Sequence, residues 1–175
     1  MNYDEIKKQL CGCYVTVPTL FNDTDISVNQ MGIEKHVEFL ISSGSKESNG
    51  VLLAGGAAGD FSTMTLEERV SVCETVVSAA DGQVPVAFGA QTTSTRELIE
   101  LAKAAASAGA KFIQVSPPFY FSHTEDDFFE YIVAAADSAD IGIIIYNTFW
   151  TSLQVSEELI DRLADIPQVV GLTWS

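Results

Sequence analysis

Short apolar runs alternate with longer segments of helical periodicity along the whole chain. The apolar runs have strand length and lie at 13–17, 50–54, 84–88, 112–115, 142–146 and 169–172. Between them, apolar residues recur with a helical period at 28–43, 65–80, 94–108, 124–138 and 156–164. Strands that alternate with helices in this way predict repeated βαβ units and a parallel sheet.

Residues at the ends of the predicted helices support these boundaries. Thr65 is followed three residues later by Glu68, and Ser94 by Glu97, which is the spacing of a capping box. Glycine is favoured just after a helix because it adopts the left-handed conformation at little cost. Three of the predicted helices end before such a residue, at Gly44, Gly82 and Gly109.

Two architectures fit this pattern of elements. Strands such as VLLA, IIIY and VVGL are apolar on both faces, as in a doubly wound open sheet or in a (β/α)8 barrel. Periodicity alone does not separate the two. A complete barrel usually takes roughly 250 residues, and this chain has 175 and ends just after the sixth strand. No linker or change of composition divides it, so we expect one domain over residues 1–175.

Composition and charge narrow the class of protein. The chain is 47% hydrophobic, which excludes intrinsic disorder. Nine Lys and Arg against 24 Asp and Glu give a formal net charge of −15. Such a surface repels phosphate backbones and anionic lipids, so we expect no nucleic-acid or membrane partner.

The cysteines and the apolar runs of the sequence indicate the cellular compartment of the protein. The first residues, MNYDEIKKQL, lack the apolar segment of a signal peptide, and no run approaches the ~20 residues of a membrane span. The three cysteines, Cys11, Cys13 and Cys73, are an odd number that argues against a disulfide framework. We expect Cys11 and Cys13 to share one face of the first strand, as buried or partly buried free thiols. A reduced, cytoplasmic protein is the resulting expectation.

A glycine-rich segment follows the second predicted strand directly. It reads Gly55-Gly56-Ala57-Ala58-Gly59-Asp60, and its small residues would let backbone N–H groups approach an anion. The spacing is not G-x-G-x-x-G, and no acidic residue ends the next strand to bind a ribose. An open-sheet nucleotide-binding domain is therefore poorly supported.

The segment NGVLLAGGAAGDFSTMTLEER resembles the G-T-T-G-E…L-T-x-E-E-R block of the dihydrodipicolinate synthase / N-acetylneuraminate lyase family. Further matches follow in order: VTVPTLFND, HVEFLISSG, VSPPFYF, IIIYN and VVGLTWS. The resemblance implies a (β/α)8 barrel of which about β1 to β6 are present, a truncated barrel. It also implies a class I aldolase or lyase that acts on pyruvate or another 2-oxo acid through a lysine Schiff base, without a cofactor. For the full-length protein the resemblance further implies a homo-oligomer, either a dimer or a tetramer.

The resemblance assigns roles to particular residues. Backbone amides of the turn Gly56, Ala57, Ala58 and Gly59 match the family's carboxylate-binding loop, although the two alanines replace hydroxyl residues. Tyr146 matches the tyrosine that shuttles protons to the substrate, and Tyr120 matches the tyrosine lent across the dimer interface. Dehydrodipicolinate-forming members carry an arginine shortly after the strand 5 tyrosine. Phe149 and Trp150 occupy that stretch here, which suggests either an apolar substrate tail or packing against a neighbouring subunit.

Thr173 is the main departure from the family pattern V-V-G-[IL]-K-x-S. It occupies the lysine position, and threonine has no primary amine with which to form an imine. The sequence places each remaining lysine away from this strand end, so we expect none to substitute. A metal-dependent aldolase is disfavoured because His36 and His123 lie far apart in the sequence without a carboxylate pairing, so no metal is expected.

Three explanations remain for Thr173 and the early end of the chain: an engineered knockout, a natural pseudoenzyme, or a partial gene. Under each of them the chain is impaired as an imine-forming enzyme. The alternative function is a non-catalytic 2-oxo acid binder. Because two of eight βα units contribute more than the ~5–15 kcal/mol that stabilises a domain, we expect the 175-residue polypeptide to be marginally stable unless oligomerisation covers its open strand edges. We also expect it to lack activity even after Thr173→Lys.

Overall fold

Six parallel strands form a single sheet in the computed structural model, which describes residues 2–148 and 155–174. The strands follow one another in the sheet in the same order as in the sequence. In that order they are β1 (Cys13–Thr16), β2 (Gly50–Ala54), β3 (Val86–Gly89), β4 (Phe112–Val115), β5 (Gly142–Asn147) and β6 (Val169–Trp174).

In the described part of the chain, one helix precedes the first strand, and the five that connect successive strands pack on one side of the sheet. The helices are α1 (Tyr3–Lys7), α2 (Gln30–Ser42), α3 (Leu66–Ala80), α4 (Thr95–Ala108), α5 (Glu125–Ser138) and α6 (Glu157–Ala164). From α2 to α6 each helix contacts the next, which makes one continuous outer layer. A doubly wound sheet would instead reverse its strand order and carry helices on both faces. The barrel interpretation is therefore confirmed, and the open-sheet nucleotide-binding interpretation is wrong.

Side chains of the strands alternate between two apolar layers, as the period of two predicts. Leu52 and Ala54 belong to the larger layer beneath the helices, whereas Val51 and Leu53 face the concave side. The concave layer is completed by side chains from the other strands: Ala87, Phe112, Ile144 and Val170. Burial on both faces explains why these strands are apolar throughout.

The helix α1 covers part of the concave side, and the sequence pattern did not predict it. It contacts β5 and β6, and its Ile6 joins the concave apolar layer. The Tyr3 hydroxyl donates a hydrogen bond to the Asp140 carboxylate, with 2.5 Å between the two oxygen atoms. Asp140 lies just before the amino end of β5. Five residues are too few to show a helical period, so the side chain of Asn2, which caps α1, was its main sequence signal.

Two local expectations differ from the structure. Ser94 caps α4, but the Glu97 carboxylate accepts from the Thr92 hydroxyl at 2.6 Å instead of closing a capping box. Cys11 lies before β1 rather than on it, because Gly12 has a φ of +78° and breaks the extended chain. Cys13 is exposed, so only Cys73 is a fully buried thiol, and burial raises its pKa to about 12.

The capping box of α3 is present as predicted. The Thr65 hydroxyl accepts from the Glu68 N–H at 3.2 Å, and the Glu68 carboxylate accepts from the Thr65 N–H at 2.8 Å. This box starts α3 shortly after the turn at Phe61–Thr63.

We predict that Thr65→Ala lowers the free energy of unfolding by about 1 kcal/mol, because one backbone N–H loses its acceptor. The measurement is the urea midpoint, with Thr95→Ala as the control. Thr95 is an exposed threonine inside the first turn of α4, where alanine is the better helix former. Equal midpoints for the two variants would contradict the role of the cap.

Candidate active site at the carboxyl end of the strands

A cleft opens where the carboxyl ends of β2 to β5 meet, the edge at which barrel enzymes bind their ligands. Its volume is about 270 Å³. The turn after β2, the ends of β3 and β4, and β5 contribute its lining: Ala57, Phe61, Ser62, Gln91, Ser116, Phe119 and Tyr146. The cleft thus combines small residues, hydroxyl groups and two phenyl rings with one phenol.

The turn after β2 is shaped by a glycine in the left-handed region. Gly55 has a φ of +58°, which turns the chain sharply out of the sheet. A short 3-10 turn follows at Ala57–Gly59, closed by the Gly59 N–H, which donates to the Gly56 carbonyl at 2.9 Å. The Thr19 hydroxyl donates to the Gly59 carbonyl at 2.7 Å and ties this turn to the segment after β1.

Only some of the backbone amides that the sequence assigns to carboxylate binding are available to a ligand. Gly59 donates its N–H inside the turn and Gly56 is buried, so the amides of Ala57 and Ala58 are the candidate anion donors. Both alanines are exposed, whereas Gly56 and Gly59 are buried. Successive N–H groups at such a turn form a concavity suited to an anion. The two glycines therefore shape the turn from within.

Tyr146 and Thr173 are direct neighbours across β5 and β6. They are partners in the parallel register, so they lie on the same face of the sheet, on strands that are about 4.8 Å apart. Tyr146 follows Ile144 by two residues and shares its concave face. The structure therefore brings the predicted proton-shuttling tyrosine and the lysine position together.

This juxtaposition depends on an irregularity in the ladder between β5 and β6. Ile143 pairs with Val169, but Ile144 pairs with Gly171, so Val170 is an extra residue on β6. Such a bulge shifts every later residue of the strand to the other face. Without it, Thr173 would pair with Asn147 and point away from Tyr146.

Thr173 lines a second cavity of about 340 Å³, on the concave side between β1 and β6. Lys7 of α1 lines the same cavity from the amino end of the strands. Lys7 reaches this cavity because α1, absent from the predicted elements, folds back beneath β6. It does not line the cleft at the carboxyl ends of the strands, and the prediction that no lysine replaces the missing amine stays a prediction.

Tyr120 does not join Tyr146 in the cleft. Its side chain is 76% exposed and packs edge-on against Phe121, with ring centroids 4.7 Å apart. It lines a wider cavity of about 520 Å³ beside the cleft, together with Arg69 and Glu97. The prediction that it serves a neighbouring subunit stays a prediction, and Phe149 and Trp150 lie outside the described residues.

Two buried polar residues at this edge were missed by the sequence argument. The side chain of Arg69, on α3, is buried although it carries a charge. Its guanidinium donates to the Gly89 carbonyl at 2.9 Å and lies 5.3 Å from the centre of the Phe61 ring. Burial lowers the pKa of Arg69 to about 10, which still leaves it charged at neutral pH. The second residue is Gln91, which follows β3 and is only 3% exposed.

Neither a metal cluster nor a membrane helix occurs in the part of the chain that the structure describes. Within residues 2–148 and 155–174, no three side chains of His, Cys, Asp or Glu converge on one point. His36 lies on α2, and the His123 ring lies 3.2 Å from the Phe121 carbonyl in the loop before α5. None of the described helices is both long and apolar enough to cross a bilayer.

Comparison with known proteins identifies relatives over almost the whole chain. The profile of the dihydrodipicolinate synthetase family matches residues 9–174. A 4-hydroxy-tetrahydrodipicolinate synthase from Chloroherpeton thalassium is 34% identical over 160 residues, which cover 91% of this chain and 51% of that protein. A synthase of the same name from Roseobacter denitrificans is 38% identical, over 80% of this chain and 47% of that protein. The chain spans about half the length of these relatives.

Solved structures give the same result. YagE, a prophage protein of E. coli K12 from the dihydrodipicolinic acid synthase family, superposes with a TM-score of 0.87 at 30% identity. The match covers 94% of this chain and 54% of that one. A dihydrodipicolinate synthase from Acinetobacter baumannii superposes with a TM-score of 0.83 at 30% identity, over 94% of this chain and 55% of that one. Both structures contain pyruvate.

Proposed function

This chain belongs to the dihydrodipicolinate synthetase family, and on that premise we propose that its cleft is the site of a carbon–carbon lyase or aldolase that binds pyruvate or another 2-oxo acid. The observation that carries the proposal is the cleft itself, which joins Ala57 of the β2 turn to Tyr146 of β5. The pyruvate complexes of two relatives at 30% identity support the class of ligand.

Each part of the cleft has a defined task in this proposal. The amides of Ala57 and Ala58 bind the carboxylate of the 2-oxo acid, and charge-assisted hydrogen bonds of this kind are the stronger ones. The Tyr146 hydroxyl faces the keto carbon and moves protons to and from the substrate. Its neighbour Thr173 contributes a hydroxyl where the family pattern has an amine, so the ligand is held without a covalent bond and turnover through an imine is impaired.

A second candidate function is a 2-oxo acid binder without turnover. The register pair Tyr146–Thr173 favours it, because a hydroxyl at this position contributes polarity but no imine. The two functions share the binding step and differ in whether a carbon–carbon bond is made or broken. We also propose that the exposed loop containing Phe119 and Tyr120 packs against a second copy of the chain.

Pyruvate binding tests the shared step. We predict that Ala57→Asp weakens the Kd for pyruvate, measured by isothermal titration calorimetry, at least about tenfold, because it places a carboxylate against the ligand carboxylate. Ala57→Thr adds a hydroxyl donor and is expected to tighten binding a few-fold, by roughly one hydrogen bond at most.

Ser48→Asp is the matched control for the added charge. Ser48 is exposed in the loop that enters β2, at the opposite end of the strand from the turn. This variant makes the net charge more negative by the same amount, so it isolates the local effect from the field of the whole protein. Equal weakening by both aspartates would contradict the position of the carboxylate, and no binding of pyruvate by the unmodified protein would contradict the proposed function.

A further inference from the structure

Gln91 has a buried carboxamide whose hydrogen-bonding groups are unused. The residue is 3% exposed, and neither its Oε1 nor its Nε2 has a hydrogen-bond partner among the described residues. Buried side-chain amides are nearly always paired, so a pair of unused groups needs an explanation. Two buried hydroxyl groups nearby do have partners: the Thr92 hydroxyl donates to Glu97 at 2.6 Å, and the Tyr131 hydroxyl donates to the Thr92 carbonyl at 2.8 Å.

The carboxamide is placed at the cleft by the fold of β3. Its Oε1 lies over Gly89, 2.8 Å from the point that a Cβ at that residue would occupy. Gln91 lines both the 270 Å³ cleft that contains Tyr146 and the adjoining 520 Å³ cavity. Gln91 therefore forms part of the wall of the space in which a ligand would sit, with its unused donor and acceptor buried in that wall.

The surroundings restrict what kind of group can satisfy this carboxamide. Phe61 and Phe119, which line the same cleft, are apolar and offer it no hydrogen bond. A ligand hydroxyl can accept from the Nε2 group or donate to Oε1, whereas a methyl group can do neither. A carboxylate can only accept, and the amides of the β2 turn already provide for it.

We propose that Gln91 determines ligand specificity in this cleft by hydrogen-bonding a hydroxyl group of the ligand. It selects 2-oxo acids that carry a hydroxyl substituent over those that carry a methyl group in its place. This inference rests on the proposed function and adds a residue that the family resemblance did not assign. Its physical basis is that a ligand without the hydroxyl leaves the carboxamide buried and unpaired, which is the larger part of the discrimination.

An isosteric pair of ligands tests the proposal. 3-Hydroxypyruvate and 2-oxobutanoate have the same number of non-hydrogen atoms and differ by a hydroxyl in place of a methyl group. We expect the protein to bind 3-hydroxypyruvate about tenfold more tightly than 2-oxobutanoate. In Gln91→Met, which keeps an unbranched side chain of similar size, the ratio of the two Kd values should fall to about one or invert.

Pyruvate and two further variants complete the experiment. The Kd for pyruvate, which has neither substituent, should change no more than about threefold in Gln91→Met, within the worth of one hydrogen bond. Gln91→Leu is a second apolar replacement in case methionine disturbs folding, which thermal unfolding checks. Gln83→Met is the control, since Gln83 is exposed before β3 at the opposite end of the sheet.

The outcomes separate this inference from the proposed function. Pyruvate binding with no preference for 3-hydroxypyruvate, or a preference that survives both Gln91 variants, overturns the role of Gln91 and leaves the proposed function standing. A preference that Gln83→Met removes as well also overturns it. If none of the three 2-oxo acids binds, both the inference and the proposed function fail.

Discussion

Thr173→Lys is expected to create a pyruvate adduct that borohydride traps, in a protein that otherwise forms none. The pairing of residue 173 with Tyr146 across the ladder directs the new amine to the concave face and to the cleft. The lysine nitrogen attacks the keto carbon, water leaves, and borohydride reduces the resulting imine to a stable secondary amine. Intact mass should then increase by one reduced pyruvyl group, and peptide mapping should place it at residue 173.

Leu172→Lys is the matched control for this experiment. Leu172 is the preceding residue of β6, is 44% exposed, and pairs with Ile145 of the helix-covered layer rather than with Tyr146. The same amine one residue away therefore points to the other face, and we expect no adduct. Adducts of equal yield in the two variants would contradict the geometry of the site.

The unmodified protein provides an independent test of the lysines already present. Lys7 lines the cavity that reaches Thr173, although from the amino end of the strands. A site-specific adduct before any substitution would show that one of these lysines reaches the keto carbon, and mapping would identify it. The absence of an adduct would restrict the unmodified protein to non-covalent binding, because imine chemistry requires a primary amine.

Gly89→Ala is expected to destabilise the protein strongly, by about 3 kcal/mol. A Cβ at this buried residue would lie 2.2 Å from the Gly55 carbonyl oxygen, and backbone cannot move aside as a flexible side chain can. The strands β2 and β3 would have to separate at the carboxyl edge, where Gly55 begins the turn after β2. The urea midpoint should fall while the slope of the transition stays the same.

Gly50→Ala is the control for this substitution. Gly50 is also a buried strand glycine, but its nearest heavy atom to an added Cβ is the Cys13 carbonyl oxygen at 3.3 Å. We expect it to cost less than about 1 kcal/mol, since a shift of a few tenths of an ångström relieves the contact. Similar midpoints for Gly50→Ala and Gly89→Ala would contradict the claim that close backbone approach at β2 and β3 is special.

Much of the fold was predictable because it follows from local patterns. β2 and β4 have the predicted bounds, and the other strands differ by one to two residues at their ends. The left-handed glycines at 44, 82 and 109 also lie where the helix ends predict them. These features depend on residues a few positions apart, and hydrophobic periodicity and capping report on that range.

The misses share a different cause, which is contact between residues distant in the sequence. The five residues of α1 are too few to show a helical period. The helix is stabilised by its contacts with β5 and β6, which are distant in the sequence. The Glu97 carboxylate accepts a hydrogen bond from the Thr92 hydroxyl instead of from the capping residue of its own helix. The segment after β3 brings that hydroxyl within 2.6 Å. Arg69 is buried because the Gly89 carbonyl and the Phe61 ring accept its guanidinium.

The sequence by itself determined the alternation of strands and helices, the family, and the residue types at the strand ends, including threonine at position 173. Tertiary structure decided which of these residues meet. The extra residue Val170 in β6 turns Thr173 to the side of Tyr146, and Gly89 makes room for the unpaired carboxamide of Gln91. Register and close backbone approach arise from packing between strands, so no local pattern in the chain encodes them.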